Sequence, residues 1–118
     1  MVYGYVRVRD TGHESFGNTI EDQTNSIKNS YPDANIIVDI SPVSKIRERF
    51  TGIISSMKED DILCVTSLDR ICRTAYEGMG YIKQLRDKNA FIHILNMGII
   101  DNSSSGTQVL TILLSIIL

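Results

Sequence analysis

Short apolar runs alternate along the chain with segments in which apolar residues recur at helical spacing. The runs predict strands at 2–8, at 35–40, from Ile62 onward and at 91–95. The helical spacing predicts helices at 19–31, at 45–58, at 76–88 and from Thr107 onward. This alternation predicts an α/β fold, with a mostly parallel sheet of four or more strands flanked by helices.

The helix boundaries carry signals of their own. Thr19 and Asp22 resemble a capping box at the start of the first helix, and Pro32 ends it. The predicted inner faces hold residues that share helical spacing: Ile20, Gln23, Ile27 and Tyr31 in the first helix, Ile46, Phe50, Ile53, Ile54 and Met57 in the second, and Met79, Ile82 and Leu85 in the third. Residues 98–106 carry glycine, serine and asparagine, which predicts a flexible loop. The final helix is apolar almost all round, which is typical of a buried or interface helix.

The composition of the chain limits which classes of protein it can belong to. The chain has 118 residues, 42% hydrophobic and 22% charged, as expected for one soluble domain. Two cysteines without metal-ligand spacing favour a reduced, cytoplasmic setting. No signal sequence is evident, and the last apolar run is too short to cross a membrane. The net charge of −2 argues mildly against a free-standing nucleic-acid binder.

Arginines cluster where the predicted strands end. Asp69, Arg70 and Arg73 follow the strand that begins at Ile62, and Arg7 and Arg9 end the first strand. Arg47 and Arg49 stand near the start of the second helix. Ligands bind at the carboxyl ends of the strands in open α/β sheets, and guanidinium groups suit phosphate oxygens. The pattern predicts a phosphate-binding site in which Asp69 orients the arginines; the alternative is a set of surface salt bridges.

Other reactive side chains have plainer interpretations. His13 could act as a general base, although a histidine between glycine and glutamate in a loop is commonly only solvated. Cys72 lies inside the arginine cluster, where packing of a small side chain explains it. His93 alternates with isoleucines in a strand and is expected to be a hydrogen-bonded sheet residue.

Several segments together resemble the catalytic domain of the serine recombinases, the resolvase/invertase family. Residues 68–73 (Leu-Asp-Arg-Ile-Cys-Arg) are similar to the family's Leu-Asp-Arg-Leu-x-Arg signature. The other matching pieces are residues 4–8 in the first strand, 20–23 at the first helix start, Arg47 after the Ser41 loop, and 98–101 with 105–106 before the last helix. The resemblance covers essentially the whole chain.

The resemblance implies a definite chemistry. Such enzymes cut DNA with a serine hydroxyl that becomes joined to a 5′ phosphate, and they exchange and reseal the strands without a metal or cofactor. By position, Arg7, Arg47, Arg70 and Arg73 would contact the DNA at the scissile phosphate. Asp69 would hold arginines or help to move a proton, and Gln23 would support the site from the helix start.

One position departs from the family pattern. The family's nucleophilic serine lies two residues after the arginine that matches Arg7, and here that residue is Arg9. A guanidinium cannot attack phosphorus. The chain is therefore a degenerate relative, an altered form of an active enzyme, or an enzyme in which Ser15 of the following loop substitutes. If Ser15 does not substitute for the nucleophile, it is an ordinary solvated residue of that loop.

The resemblance also divides the chain into two parts. Residues 1–106 would form the resolvase-like catalytic domain, and 107–118 the truncated start of the oligomerisation helix. DNA and further copies of the chain, as a dimer or tetramer of the full-length protein, would be the partners. The sequence leaves two other functions open: a catalytically silent, DNA-associated oligomerising module that regulates an active recombinase, and a small phosphate-binding α/β enzyme unrelated to DNA.

Overall fold

The computed structural model describes residues 1–9, 19–41, 48–71 and 75–100. The elements in these ranges are β1 Val2–Arg9, α1 Ile20–Ser30, β2 Asn35–Ser41, α2 Glu48–Ser56, β3 Ile62–Val65, α3 Ala75–Asp87, β4 Phe91–Ile94 and β5 Gly98–Ile100. A 3₁₀ turn at Leu68–Arg70 follows β3. The predicted α/β class is confirmed, with strand and helix ends shifted by a few residues.

The strands form one sheet in the order β2-β1-β3-β4-β5. All neighbouring pairs are parallel except β4 and β5, which are antiparallel. The mostly parallel sheet was therefore predicted correctly, but the prediction of a loop from Gly98 was wrong for 98–100. A turn in which the Met97 amide bonds to the Ile94 carbonyl at 2.9 Å reverses the chain, and Ile100 is fully buried. The rest of the predicted loop and the predicted helix from Thr107 lie outside the described residues.

One face of the sheet packs against α2 and α3. Cross-strand register places Tyr3 and Leu63 side by side, so Tyr5 and Val65 lie on this same face. Phe50 of α2 is at the centre of this core, with ring centroids 4.9 Å from Tyr5 and 4.7 Å from Tyr81. The predicted inner face of α2 is confirmed for its described members: Phe50, Ile53, Ile54 and Met57 are all buried.

The opposite face packs against α1. Ile27 is fully buried there together with Val6 and Cys64. Gly4 allows this close approach: a Cβ at residue 4 would lie 2.7 Å from Cδ1 of Ile36 and 2.9 Å from Cγ2 of Ile27. The distance between α1 and β1 is therefore set by the absence of a side chain at one position.

The start of α1 corrects one predicted core residue. The Thr19 hydroxyl accepts a hydrogen bond from the Asp22 amide at 3.1 Å, as expected for the N-cap. Ile20, however, is 36% exposed, whereas Gln23 is fully buried. Helical side chains lean toward the N-terminal end, so Ile20 in the first turn extends past the contact that Gln23 makes.

The N-terminal ends of the strands are closed by tight turns. Asn89 adopts a φ of 57° after α3, and the amides of Asn89 and Ala90 bond to the carbonyls of Arg86 and Leu85. Lys88 donates from Nζ to the carbonyl oxygens of residues 54 and 55 at 2.7 and 3.1 Å, and so covers the end of α2. None of the described helices is long and apolar enough to cross a membrane.

Candidate functional site

The sheet opens between β1 and β3 at the C-terminal ends of these strands. β3 pairs with β1 only along residues 2–4, whereas β1 continues to Arg9 beside β2. The connection from β1 to β2 runs through α1 on one face, and the next runs through α2 on the other. This change of direction is a topological switch point, where open α/β sheets bind their ligands.

Gln23 bonds to the main chain of β1 at this opening. Its side-chain oxygen Oε1 accepts from the Arg7 amide at 3.3 Å, and Nε2 donates to the Arg7 carbonyl at 3.0 Å. A side-chain amide carries the same donor and acceptor as a peptide group. Gln23 therefore replaces the strand partner that β3 no longer supplies, because buried main-chain groups need hydrogen-bond partners.

Arg70 reaches the same carbonyl from the other side of the opening. The 3₁₀ turn after β3 carries it, anchored by the fully buried Ile71. Its Nη1 atom donates to the Arg7 carbonyl at 3.0 Å, and only 9% of the residue is exposed. Two sequence-predicted site residues 63 positions apart are thus in direct contact, together with Gln23.

Tyr5 and Asp39 belong to the same neighbourhood, and neither was predicted from the sequence. Asp39 pairs in register with Arg7, so their side chains lie on one face of the sheet. The Tyr5 hydroxyl donates to Oδ2 of Asp39 at 2.7 Å, and Asp39 is 8% exposed. Two signals could have found them: Tyr5 stands two residues before Arg7, and Asp39 is the one charged residue in an otherwise apolar run.

Arg49 extends this neighbourhood to the edge strand β2. Its Nη1 donates to the Val38 carbonyl at 2.8 Å, and its Nε lies 3.9 Å from Oδ1 of Asp39. From the sequence, Arg49 stood out only as part of a cluster. Charged side chains therefore stand next to β2, β1 and β3 at one end of the sheet.

Several sequence-predicted site residues lie outside what the structure describes. These are Arg47, Arg73 and Ser15, together with His13 and Cys72. The main chain of Asp69 lies in the 3₁₀ turn, and Arg9 is the last residue of β1, where it pairs with Ser41. The structure does not describe the side chains of Asp69 and Arg9. The described part of the predicted site thus consists of Arg7, Gln23 and Arg70.

The remaining described histidine and cysteine lie on the α1 face of the sheet. His93 Nδ1 is 2.7 Å from the Tyr31 hydroxyl, so the prediction of a hydrogen-bonded sheet residue is confirmed. Burial lowers the pKa of His93, which favours the neutral ring and a hydrogen bond donated by the hydroxyl. Burial raises the pKa of the Cys64 thiol to about 12, so it stays protonated at neutral pH.

Taken together, the geometry suits an anionic ligand. The Arg70 guanidinium bonds to the main chain of Arg7 at the switch point, and Arg49 stands beside the acceptor Asp39. Guanidinium groups held by hydrogen bonds lose little side-chain entropy when they bind a phosphate oxygen. The arrangement can therefore bind a phosphate group and stabilise negative charge on it.

Comparison with known proteins identifies the family. The family model described as "Resolvase, N terminal domain" matches residues 2–117. The fold is similar to that of the N-terminal catalytic domain of TP901-1 integrase, with a TM-score of 0.72 and 24% identity over 98% of this chain and 92% of that one. It is also similar to a resolvase-family site-specific recombinase from Streptococcus pneumoniae, with a TM-score of 0.63 and 21% identity over 97% and 85% of the two chains.

The search of curated proteins finds no match. The family match nevertheless spans nearly the whole chain, and the solved structures share its fold. The family that the sequence resembles is therefore the family to which it belongs. The chain belongs to the resolvase family, whose N-terminal domain it matches.

Proposed function

We propose that this chain binds the DNA backbone at the C-terminal ends of β1 and β3, as the phosphate-handling part of a site-specific recombinase. The observation that carries the proposal is the convergence of Arg70 and Gln23 on the main chain of Arg7 at the switch point. Arg7, Arg47, Arg70 and Arg73 are the phosphate contacts in this proposal. In this proposal Gln23 holds the main chain of Arg7 in place, and Asp69 orients the arginines.

Residue 9 decides whether this domain cuts DNA. Cleavage in the family requires a serine hydroxyl to give up its proton and bond through its oxygen to phosphorus, while the bond from phosphorus to the 3′ oxygen breaks and that oxygen takes up a proton. Arg9 has no such oxygen, and its guanidinium stays protonated at working pH. We propose that the phosphate-binding cluster persists here, that strand cleavage is lost at residue 9, and that Ser15 does not replace the nucleophile.

Arg9 also favours a second candidate function. A domain that binds DNA and pairs with other copies, but does not cut, would act as a silent module that regulates an active recombinase. The apolar segment 107–118 supplies the oligomerising surface in both proposals, for a dimer or a tetramer. The two candidates differ in whether a serine at residue 9 is enough to restore chemistry.

The test is the formation of a covalent protein–DNA adduct on a supercoiled plasmid. We expect the natural chain to form none and Arg9→Ser to form one that survives denaturant and is lost with protease. Arg9→Ala is the matched control, because it removes the same guanidinium without adding a nucleophile. Arg9→Ser combined with Arg70→Gln should lose most of the adduct, since a preorganised donor to the reacting phosphate is typically worth about 2.7–4 kcal/mol in the barrier.

Each result has a definite meaning. An adduct with Arg9→Ser alone supports the recombinase domain disabled at one residue. No adduct from a folded, DNA-bound Arg9→Ser protein supports the silent module instead. An adduct from the natural chain, mapped to Ser15, would overturn the role given to residue 9.

A further inference from the structure

One basic side chain that the resemblance gives no role stands at the outer strand of the sheet. Arg49, in the first turn of α2, donates from Nη1 to the Val38 carbonyl at 2.8 Å. Its side chain is nevertheless 69% exposed. An exposed arginine on a helix is ordinarily free to sample many rotamers, whereas this one is hydrogen-bonded to the main chain of β2.

Asp39 links Arg49 to the phosphate-binding cluster. One carboxylate oxygen, Oδ2, accepts the Tyr5 hydroxyl, and the other, Oδ1, lies 3.9 Å from Nε of Arg49. That ion pair is long and one partner is largely exposed, so it neutralises little of the guanidinium charge. Arg49 thus keeps most of its positive charge while its position is fixed relative to β1.

The spacing across the sheet indicates what Arg49 can reach. Neighbouring strands lie about 4.8 Å apart, so the outer side of β2 is on the order of 10 Å from the opening between β1 and β3. A DNA backbone held at Arg7 and Arg70 places its next phosphates within that range. We propose that Arg49 binds a DNA phosphate flanking the one at the Arg7–Arg70 end; this inference rests on the proposed function.

Titration of a short fluorescent DNA duplex with the 118-residue chain tests the inference. Affinity is measured by anisotropy over a series of salt concentrations for the natural chain, Arg49→Gln and Arg49→Lys. Lys28→Gln is the matched control, because it removes one positive charge from an exposed position at the far end of α1. Loss of one phosphate contact lowers the slope of log affinity against log salt by about 0.9.

We expect Arg49→Gln to bind DNA roughly tenfold more weakly at ~50 mM salt, and we expect its slope of log affinity against log salt to be lower by about 0.9. Lys28→Gln should change neither. Arg49→Lys should keep the slope, since its ammonium still binds phosphate as a point charge. Loss of the slope with lysine as well would mean that Arg49 acts only by holding Asp39, and would overturn the inference.

Different results would contradict the inference about Arg49 and the proposed function on which it rests. If the natural chain binds DNA and Arg49→Gln binds it equally well, Arg49 has no phosphate contact and the cluster at Arg7 and Arg70 stands. If the natural chain shows no binding even at low salt, DNA binding at this end of the sheet is wrong, and the inference about Arg49 is overturned with it.

Discussion

The two ends of the sheet satisfy their main-chain groups in different ways. At the N-terminal ends of the strands, left-handed turns pair backbone with backbone, and the Lys88 side chain covers only the end of α2. Asp60 and Asn89 have φ values of 67° and 57°, and the Asp60 amide donates to the Asn89 carbonyl at 3.0 Å. At the C-terminal ends, the side chains of Gln23 and Arg70 bond to the main chain of Arg7.

This difference separates a closed end from the end at which we propose binding. Backbone turns bring neighbouring segments as close as peptide geometry allows. Long side chains let two strands diverge while their polar groups stay satisfied. The same arrangement makes the C-terminal end sensitive to single substitutions, since one side chain takes the place of a strand.

Replacing Gln23 should cause the largest loss of stability at either end of the sheet. Gln23→Leu keeps the approximate volume but removes the acceptor of the buried Arg7 amide, while the Arg7 carbonyl still accepts from Arg70. We expect a loss of about 2–3 kcal/mol in the free energy of unfolding, measured by urea denaturation. Gln84→Leu, at an exposed position of α3, should change it by no more than about 0.5 kcal/mol. Equal losses in the two variants would mean that the end of β1 does not depend on Gln23.

A substitution beneath α1 tests whether the position of that helix controls the binding end. Gly4→Ala inserts a methyl group 2.7 Å from Ile36 and 2.9 Å from Ile27, so α1 or the isoleucines must shift. We expect a loss of about 1–2 kcal/mol in urea denaturation, with weaker DNA binding because Gln23 moves away from Arg7.

Gly80 provides the opposite control for this prediction. A Cβ at Gly80 meets nothing within 4 Å, and the residue lies inside α3. Gly80→Ala should therefore stabilise the protein by about 0.5–1 kcal/mol and leave DNA binding unchanged. A destabilised Gly80→Ala would show that losses at these glycines do not report on packing under α1.

The closed end should show the smallest effect, and one confined to stability. Asn89→Ala forces a residue with a Cβ into left-handed backbone that asparagine tolerates better, at a cost of about 1 kcal/mol. Asn89→Gly should be neutral or slightly stabilising in the same urea titration. Neither should alter DNA affinity, and a matching loss of DNA binding would contradict the division between the two ends.

Much of the fold could be predicted because its signals are local. The apolar runs gave four strands, helical spacing gave the buried face of α2, and a threonine with an aspartate three residues later marked the start of α1. β5 was missed because three residues beginning with glycine carry no alternation, and only pairing with β4 buries Ile100.

The candidate site likewise contains residues with local sequence signals and residues whose role depends on long-range contacts. Arg70 stood out because its motif is contiguous, and Arg7 because it ends an apolar strand. Asp39 carried a weaker signal, a single charge in an apolar run, and its relation to Tyr5 depends on strand register across 34 positions. Local patterns also indicated that Gln23 begins a helix, but not that its amide would take the place of a strand.

Three hydrogen bonds from Gln23 and Arg70 to residue 7 use its amide and carbonyl. These three bonds would therefore form with any residue other than proline at this position. Reactive groups can be lost or reinstalled there over evolutionary time, or by an engineer, without rebuilding the architecture around them.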